Sequence, residues 1–201
     1  YLVRQHGFIR MSFAAALKDI TAVAFGWDRQ RLEGATPQDR AWREEPDVFW
    51  SARMGKPFTP RYGLQFIGTD VFRNHVLNSI WSDLIVAKIT RLNASENVVI
   101  DDVRFVNERN ALRSVGATFL LVRRDTFASE LHEQLWTSGQ QGQCGVGIPK
   151  PIPLHPSEWE WLTDPTVAVD RVITNSGSYD DLYEAVDEWY TVINSSRVSV
   201  S

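Results

Sequence analysis

Two carboxylates and an arginine stand at the end of a short apolar run: Val98-Val-Ile100, then Asp101-Asp102-Val-Arg104. A run of that length bounded by polar residues suits a fully buried parallel strand. In an open α/β sheet ligands bind at the carboxyl ends of the strands, so a strand delivering Asp-x-Arg there is equipped for phosphate and metal chemistry. Asp102 could hold a Mg²⁺-bound water beside transferring phosphates, because Mg²⁺ is commonly held by one or two carboxylates plus phosphate oxygens. The plainer alternatives are a strand-to-helix corner whose acid caps the next helix, or a local ion pair with Arg104.

Arginines form the second constellation. Arg43, Arg61, Arg73, Arg104, Arg123 and Arg124 each fall near an expected helix start or just past a strand, in a chain of formal net charge -4. Guanidinium groups bind phosphate bidentately and stay charged at any working pH. Converging on one cleft they would bind a phosphorylated substrate; scattered, they would be solvated surface charge. Gln65 could hydrogen-bond a base edge or simply face solvent, and Trp42 and Trp50 could border a base pocket or pack. His155 is either a lid contact or a turn residue, and Ser157 reads as a helix cap rather than a nucleophile. The glycine-rich run from Gly139 to Gly147 lacks the Gly-Lys-Ser/Thr ending of a phosphate loop. Cys144 within it has no evident histidine partner, and the four histidines lack metal-site spacing.

These residues need elements to position them. Phe8 to Phe13 alternates as a strand, and Ala14 to Phe25 has helical spacing with Gly26 as its stop. Thr36-Pro37-Gln38-Asp39 and Thr59-Pro60 are helix-start signals, with Thr as cap and Pro at the first position. A mostly helical stretch is expected from Asp70 to Leu92, then the strand at Val98, then a helix from about Val106 to Val115 stopped by Gly116. Thr118 to Val122 reads as another buried strand, and Ser157 to Glu160 has capping-box spacing. Val167 to Ile173 is the last strand, Asn175-Ser-Gly177 a turn, and Ser178 the cap of a helix reaching about Ile193. Strands alternating with helices point to a three-layer α/β domain with a mostly parallel sheet.

The 201 residues suffice for one domain, or one domain with an inserted lid, and for a substantial core. An acidic balance argues against a protein built to coat nucleic acid, while leaving room for local anion sites. A single cysteine excludes an internal disulfide framework and fits a reducing, cytoplasmic compartment. No run is long enough to span a membrane. Tyr1-Leu-Val-Arg-Gln-His-Gly7 reads neither as a signal peptide nor as a usual start, and residues are expected to precede it.

A set of short motifs resembles bacteriophage deoxynucleoside monophosphate kinases. They are Phe13-Ala14 with Leu17-Lys18, Phe25-Gly-Trp-Asp28, Ala41-Trp-Arg-Glu44, Pro60-Arg-Tyr-Gly-Leu-Gln-Phe-Ile-Gly-Thr-Asp70, Asp102-Val-Arg-Phe105 with Asn107-Glu108, His155-Pro-Ser-Glu158 and Ile173-Thr-Asn-Ser-Gly177. They follow that family's order over nearly the whole chain. The resemblance implies a single nucleoside-monophosphate-kinase-like domain over 1–201, of the phosphate-loop class, that uses Mg²⁺ and ATP to phosphorylate a dNMP. Residues 26–70 would form the monophosphate-binding region and about 125–156 a lid. Lys18, Arg43, Arg61, Gln65 and Arg73 would surround the monophosphate, Asp102 and Arg104 would sit at the phosphates, and Arg124 would reach in from the lid. Asn175 and Gly177 match a turn against the ATP base. The family's opening strand and Gly-rich loop with its lysine occur nowhere in these residues, and are expected ahead of Tyr1. Two alternatives remain open on the same fold: a non-catalytic nucleotide-binding or assembly module, and a kinase for another small phosphorylated metabolite. No nucleic-acid polymer or membrane partner is expected, and a homodimer is left open.

Overall fold

The computed structural model describes residues 1–123 and 169–198. They fall into two compact units, Leu2–Val103 and the residues from Arg104 onward together with Tyr1.

The first unit runs α1 (Leu2–His6), β1 (Ile9–Met11), α2 (Phe13–Phe25), α3 (Arg29–Glu33), α4 (Pro37–Glu44), α5 (Val48–Met54), α6 (Pro60–Gln65), a π-helix (Phe66–Arg73), α7 (Ile80–Ile89) and β2 (Val98–Ile100). β1 and β2 pair in parallel, with Ile9 opposite Val98 and Met11 opposite Ile100. The helix-start signals hold. Thr36 Oγ1 accepts the Asp39 N–H at 3.1 Å while Asp39 accepts the Thr36 N–H at 3.2 Å, a reciprocal cap on α4. Thr59 Oγ1 accepts the Tyr62 N–H at 3.1 Å at the head of α6, with Pro60 where no N–H is needed.

Aromatic packing supplies the core. Ala22, Trp27, Leu32 and Phe58 are buried, with Phe25, Trp42, Trp50, Tyr62 and Leu64 packed against them. Phe25 meets Trp50 edge-on at 5.2 Å between ring centres, and Trp27 meets Trp42 edge-on at 6.3 Å. Such pairs contribute about 0.5–1.5 kcal/mol beyond the area they bury. The indole N–H groups are answered inside the core: Trp27 donates to Asp47 at 2.8 Å and Trp50 to the Phe25 carbonyl at 2.9 Å.

Two expectations are corrected here. β2 is half-buried along its length rather than fully buried, since among the described residues it is paired with β1 alone. The helix expected over 70–92 is two elements, a π-helix and α7, broken between them. Trp81 on α7 ties back to the π-helix, its indole N–H donating to the Gly68 carbonyl at 3.1 Å. Gly68 itself has no room for a side chain, because a Cβ would stand 2.9 Å from Leu17 Cδ2.

The second unit contains α8 (Val106–Arg113), β3 (Leu120–Arg123), β4 (Arg171–Thr174) and α9 (Tyr179–Val198). β3 and β4 are parallel, Leu120 opposite Arg171 and Arg123 opposite Thr174. Strand β4 starts at Arg171, after Asp170 held in a bend; of the strand expected from Val167, residues 167 and 168 lie outside the described residues. The Asp170 carboxylate accepts the Phe119 N–H at 2.6 Å on Oδ2 and an Arg113 N–H at 3.1 Å on Oδ1. β3 was expected buried, yet Val122 is 49% exposed. Ser178 and Asp181 form the expected reciprocal cap on α9, which continues to Val198 rather than stopping near Ile193. Ile173 on β4 and Val186 on α9 are buried. The chain is thus α/β, with parallel pairing in both units, but its described strands form two separate two-stranded sheets.

Candidate functional site

Positive charge gathers at the corner that follows α3, where Glu33 ends the helix and Gly34 turns the chain with a left-handed φ of 68°. Lys18, reaching from α2, donates to one Glu33 oxygen at 2.9 Å, and Arg29 donates to the other at 2.7 Å. Burial pushes the Glu33 carboxyl up, but the bonds from Arg29 and Lys18 outweigh it and hold the group below its usual range. Lys18 is therefore brought to the corner already carrying a carboxylate.

Arg43, in the last turn of α4, has no such partner among the described residues. Its guanidinium lies against Gly34, where an added Cβ would stand 2.5 Å from Cζ and 2.6 Å from Nη2. Nη1 makes one long contact, 3.5 Å to the Leu32 carbonyl, and the buried Nε has no hydrogen-bond partner. Burial lowers the Arg43 pKa from its ordinary value, and the nearby Arg61 charge lowers it further, against the opposing pull of Glu44. A partly buried cation with unspent donors and a second cation beside it has the charge and donors to take an anion.

Arg61 comes close because α4 packs on α6. It is paired with Glu44, so its charge is partly offset. Gln65 is exposed one turn further along α6, on the same face as Arg61. Arg73 is half-buried at the end of the π-helix. Sequence reasoning missed Arg40, whose Nη1 donates to the Gly34 and Ala35 carbonyls at 3.1 Å each. Its signal was present, since Arg40 and Arg43 share a helix face at i,i+3. Glu33 and Gly34 were also missed, and neither carries a local sequence signal.

The structure gives Asp102 a capping role, on a different helix from the one expected. Ser12 Oγ donates to Oδ2 at 2.7 Å, the Ala14 N–H to Oδ2 at 3.2 Å, and the Phe13 N–H to Oδ1 at 3.1 Å. Asp102 thus closes the N-terminus of α2, while Glu108 accepts the Arg104 and Phe105 N–H groups ahead of α8. Asp101 pairs with Arg10 at 3.0 Å. Arg104 is exposed. A carboxylate has about four lone-pair positions, so Oδ1 of Asp102 keeps capacity for a metal-bound water. Among the described residues no group of three or more His, Cys, Asp and Glu could hold a metal ion by itself.

In the second unit, Asn175 donates its N–H to the Arg123 carbonyl at 2.7 Å, and its buried Oδ1 has no hydrogen-bond partner. Gly177 is required by the cap beside it, since a Cβ there would lie 2.3 Å from Asp181 Oδ2. Arg124, the lid expected over 125–156, His155, Ser157 and Cys144 lie outside the described residues.

With this geometry in place, comparison with known proteins is decisive about family. The model of the deoxynucleotide monophosphate kinase family matches residues 36–136, half of the chain. The chain belongs to that family. It is also similar to a protein of Acanthamoeba polyphaga mimivirus named "Putative deoxynucleotide monophosphate kinase", 30% identical over 144 residues that cover 65% of this chain and 68% of the viral one. The family is one of phosphotransferases of deoxynucleotide metabolism, and a kinase draws on a nucleotide phosphoryl donor. The matched span takes in Arg43, Arg61, Gln65, Arg73, Asp102, Arg104 and Arg124; Lys18, Asn175 and Gly177 lie outside it. No described helix of this family member is long and apolar enough to cross a membrane.

Proposed function

We propose that the chain transfers the γ-phosphoryl group of ATP to a deoxynucleoside monophosphate, giving the diphosphate, within a single three-layer domain of the phosphate-loop class. The observation that carries this reading is Arg43: partly buried, with a buried Nε lacking a partner, and flanked by Arg61. Its free donors suit the acceptor's phosphate, with Arg61, Lys18 and Arg73 adding charge around it and Gln65 facing the base. Lys18 would trade part of its bond to Glu33 for that anion. Phosphoryl transfer relies on positioning and charge stabilisation rather than on covalent chemistry by the protein, so an arginine-lined acceptor site is apt.

Asp102 would act through a metal-bound water at Oδ1, and Arg104 and Arg124 would neutralise the transferring group. When bound, Mg²⁺ supplies divalent charge at the phosphate oxygens. The unanswered Oδ1 of Asn175 suits the amino group of an adenine, with Gly177 keeping the turn beside it compact. The described residues offer no Gly-rich cradle with a lysine for the triphosphate, so the reading places that cradle ahead of Tyr1. Incubating the full natural chain with Mg-ATP and each of dAMP, dCMP, dGMP and dTMP, with coupled detection of ADP, tests it. ADP release that depends on one of the four is expected, and none with any of them would sink the reading.

A further inference from the structure

We propose that Gly34 is a positioning residue for Arg43, fixing where the guanidinium presents its donors and so setting affinity for the acceptor's phosphate. This rests on Arg43 being the acceptor-phosphate ligand. Four helices of the first unit are followed by a left-handed glycine; besides Gly7 after α1, these are Gly26, Gly34 and Gly55 after α2, α3 and α5, the last three with φ of 69°, 68° and 66°. The backbone asks the same of all three. They differ in what a Cβ would meet. At Gly26 and Gly55 there is nothing within 4 Å, whereas at Gly34 the three nearest atoms are Cζ, Nη2 and Nη1 of Arg43, at 2.5, 2.6 and 2.8 Å. The space left by the missing side chain of Gly34 is the seat of the guanidinium.

That seat is well anchored on its own side. Arg40 ties α4 to the Gly34 and Ala35 carbonyls at 3.1 Å each, so the corner and the helix bearing Arg43 hold their spacing. The guanidinium is held far less firmly, by one 3.5 Å contact to the Leu32 carbonyl. A methyl group at position 34 would meet the far end of a flexible side chain rather than backbone. Arg43 would swing away while the fold persisted, and the cost would fall on ligand binding.

The test compares Gly34→Ala with Gly26→Ala, Gly55→Ala, Arg43→Ala and the double variant Gly34→Ala/Arg43→Ala in the full natural chain. Binding of dAMP, dCMP, dGMP and dTMP is measured by calorimetry, and stability by thermal melting. All three glycine variants place alanine at positive φ and should lose stability to a similar degree. Gly34→Ala alone should weaken monophosphate binding, about tenfold, the scale of one lost charge-assisted hydrogen bond. Gly34→Ala should have no further effect once Arg43 is alanine. If Gly34→Ala binds as Gly26→Ala and Gly55→Ala do while Arg43→Ala is weakened, the positioning role is wrong and the acceptor site stands. If Arg43→Ala binds normally, or no monophosphate binds the unmodified chain, the reading of Arg43 fails and the inference falls with it.

Discussion

The carboxyl ends of the two parallel strand pairs make an instructive contrast. Beyond β2, Asp102 accepts three hydrogen bonds, from Ser12, Phe13 and Ala14. Beyond β4, the side-chain oxygen of Asn175 is buried and accepts none. Both residues follow a parallel strand at the end where such folds bind ligands. The first has been spent on holding a helix to a strand, and the second has been left open. A buried polar atom without a partner costs free energy, which a bound ligand or water that answers it would recover. Asp102 is thus chiefly a fastener, while Asn175 keeps an open acceptor that the proposed reading gives to the ATP base, as it gives the exposed Arg104 to the phosphates.

The largest expected effect bears on that last clause. Arg104→Ala should lower turnover by about 10²–10³-fold, the scale of losing one charge-stabilising contact in a transition state, with unfolding midpoint unchanged. Near-normal steady-state kinetics would remove Arg104 from the mechanism and leave Asp102 alone to serve the phosphates at the first end. Next, Asp102→Ala should destabilise the protein by about 1–2 kcal/mol, as loss of a helix cap does, read from urea unfolding. A variant as stable as the parent would mean that the cap contributes nothing and that Asp102 is kept for ligand alone. Asn175→Ala should do the opposite: stability unchanged or slightly raised, because an unanswered buried polar group is removed, while the KM for ATP rises about fivefold. A stability loss without a change in KM would make Asn175 structural and erase the contrast.

The smallest effect concerns another satisfied carboxylate. Glu33 titrates below its usual range in the folded chain, so its bonds to Lys18 and Arg29 add stability that is complete above the ordinary glutamate value of about 4.3. That stability is lost as pH falls through the lowered folded value. Thermal melts across this acid range should show a shallower fall for Glu33→Gln than for the parent. Identical slopes would show that Glu33 contributes no linkage.

What could be read from the sequence was what lies within a few residues. Thr36 with Asp39, Thr59 before Pro60, and Ser178 with Asp181 are caps between near neighbours, and each is where it was expected. The motif order that suggested the family was also legible. Contacts across longer spans were not legible. Nothing local to Asp102 announces Ser12, and nothing near Gly68 announces the indole of Trp81 that bonds its carbonyl. Burial of β2 and β3 was overestimated because an apolar run records a strand's preference, while exposure depends on neighbours elsewhere in the chain.

The Asp102 cap has a consequence for the order in which the first unit assembles. Phe13 and Asp102 lie 89 residues apart, so the opening amides of α2 are answered only after the intervening chain has come round and β2 has docked on β1. Closing so long a loop is slow, and it couples two events that look separate in the folded state. When β2 detaches, β1 loses the strand it pairs with among the described residues and α2 its cap together. Amide hydrogen exchange at Phe13 and Ala14 should then match that of the strand it depends on, not that of the turns further along the same helix.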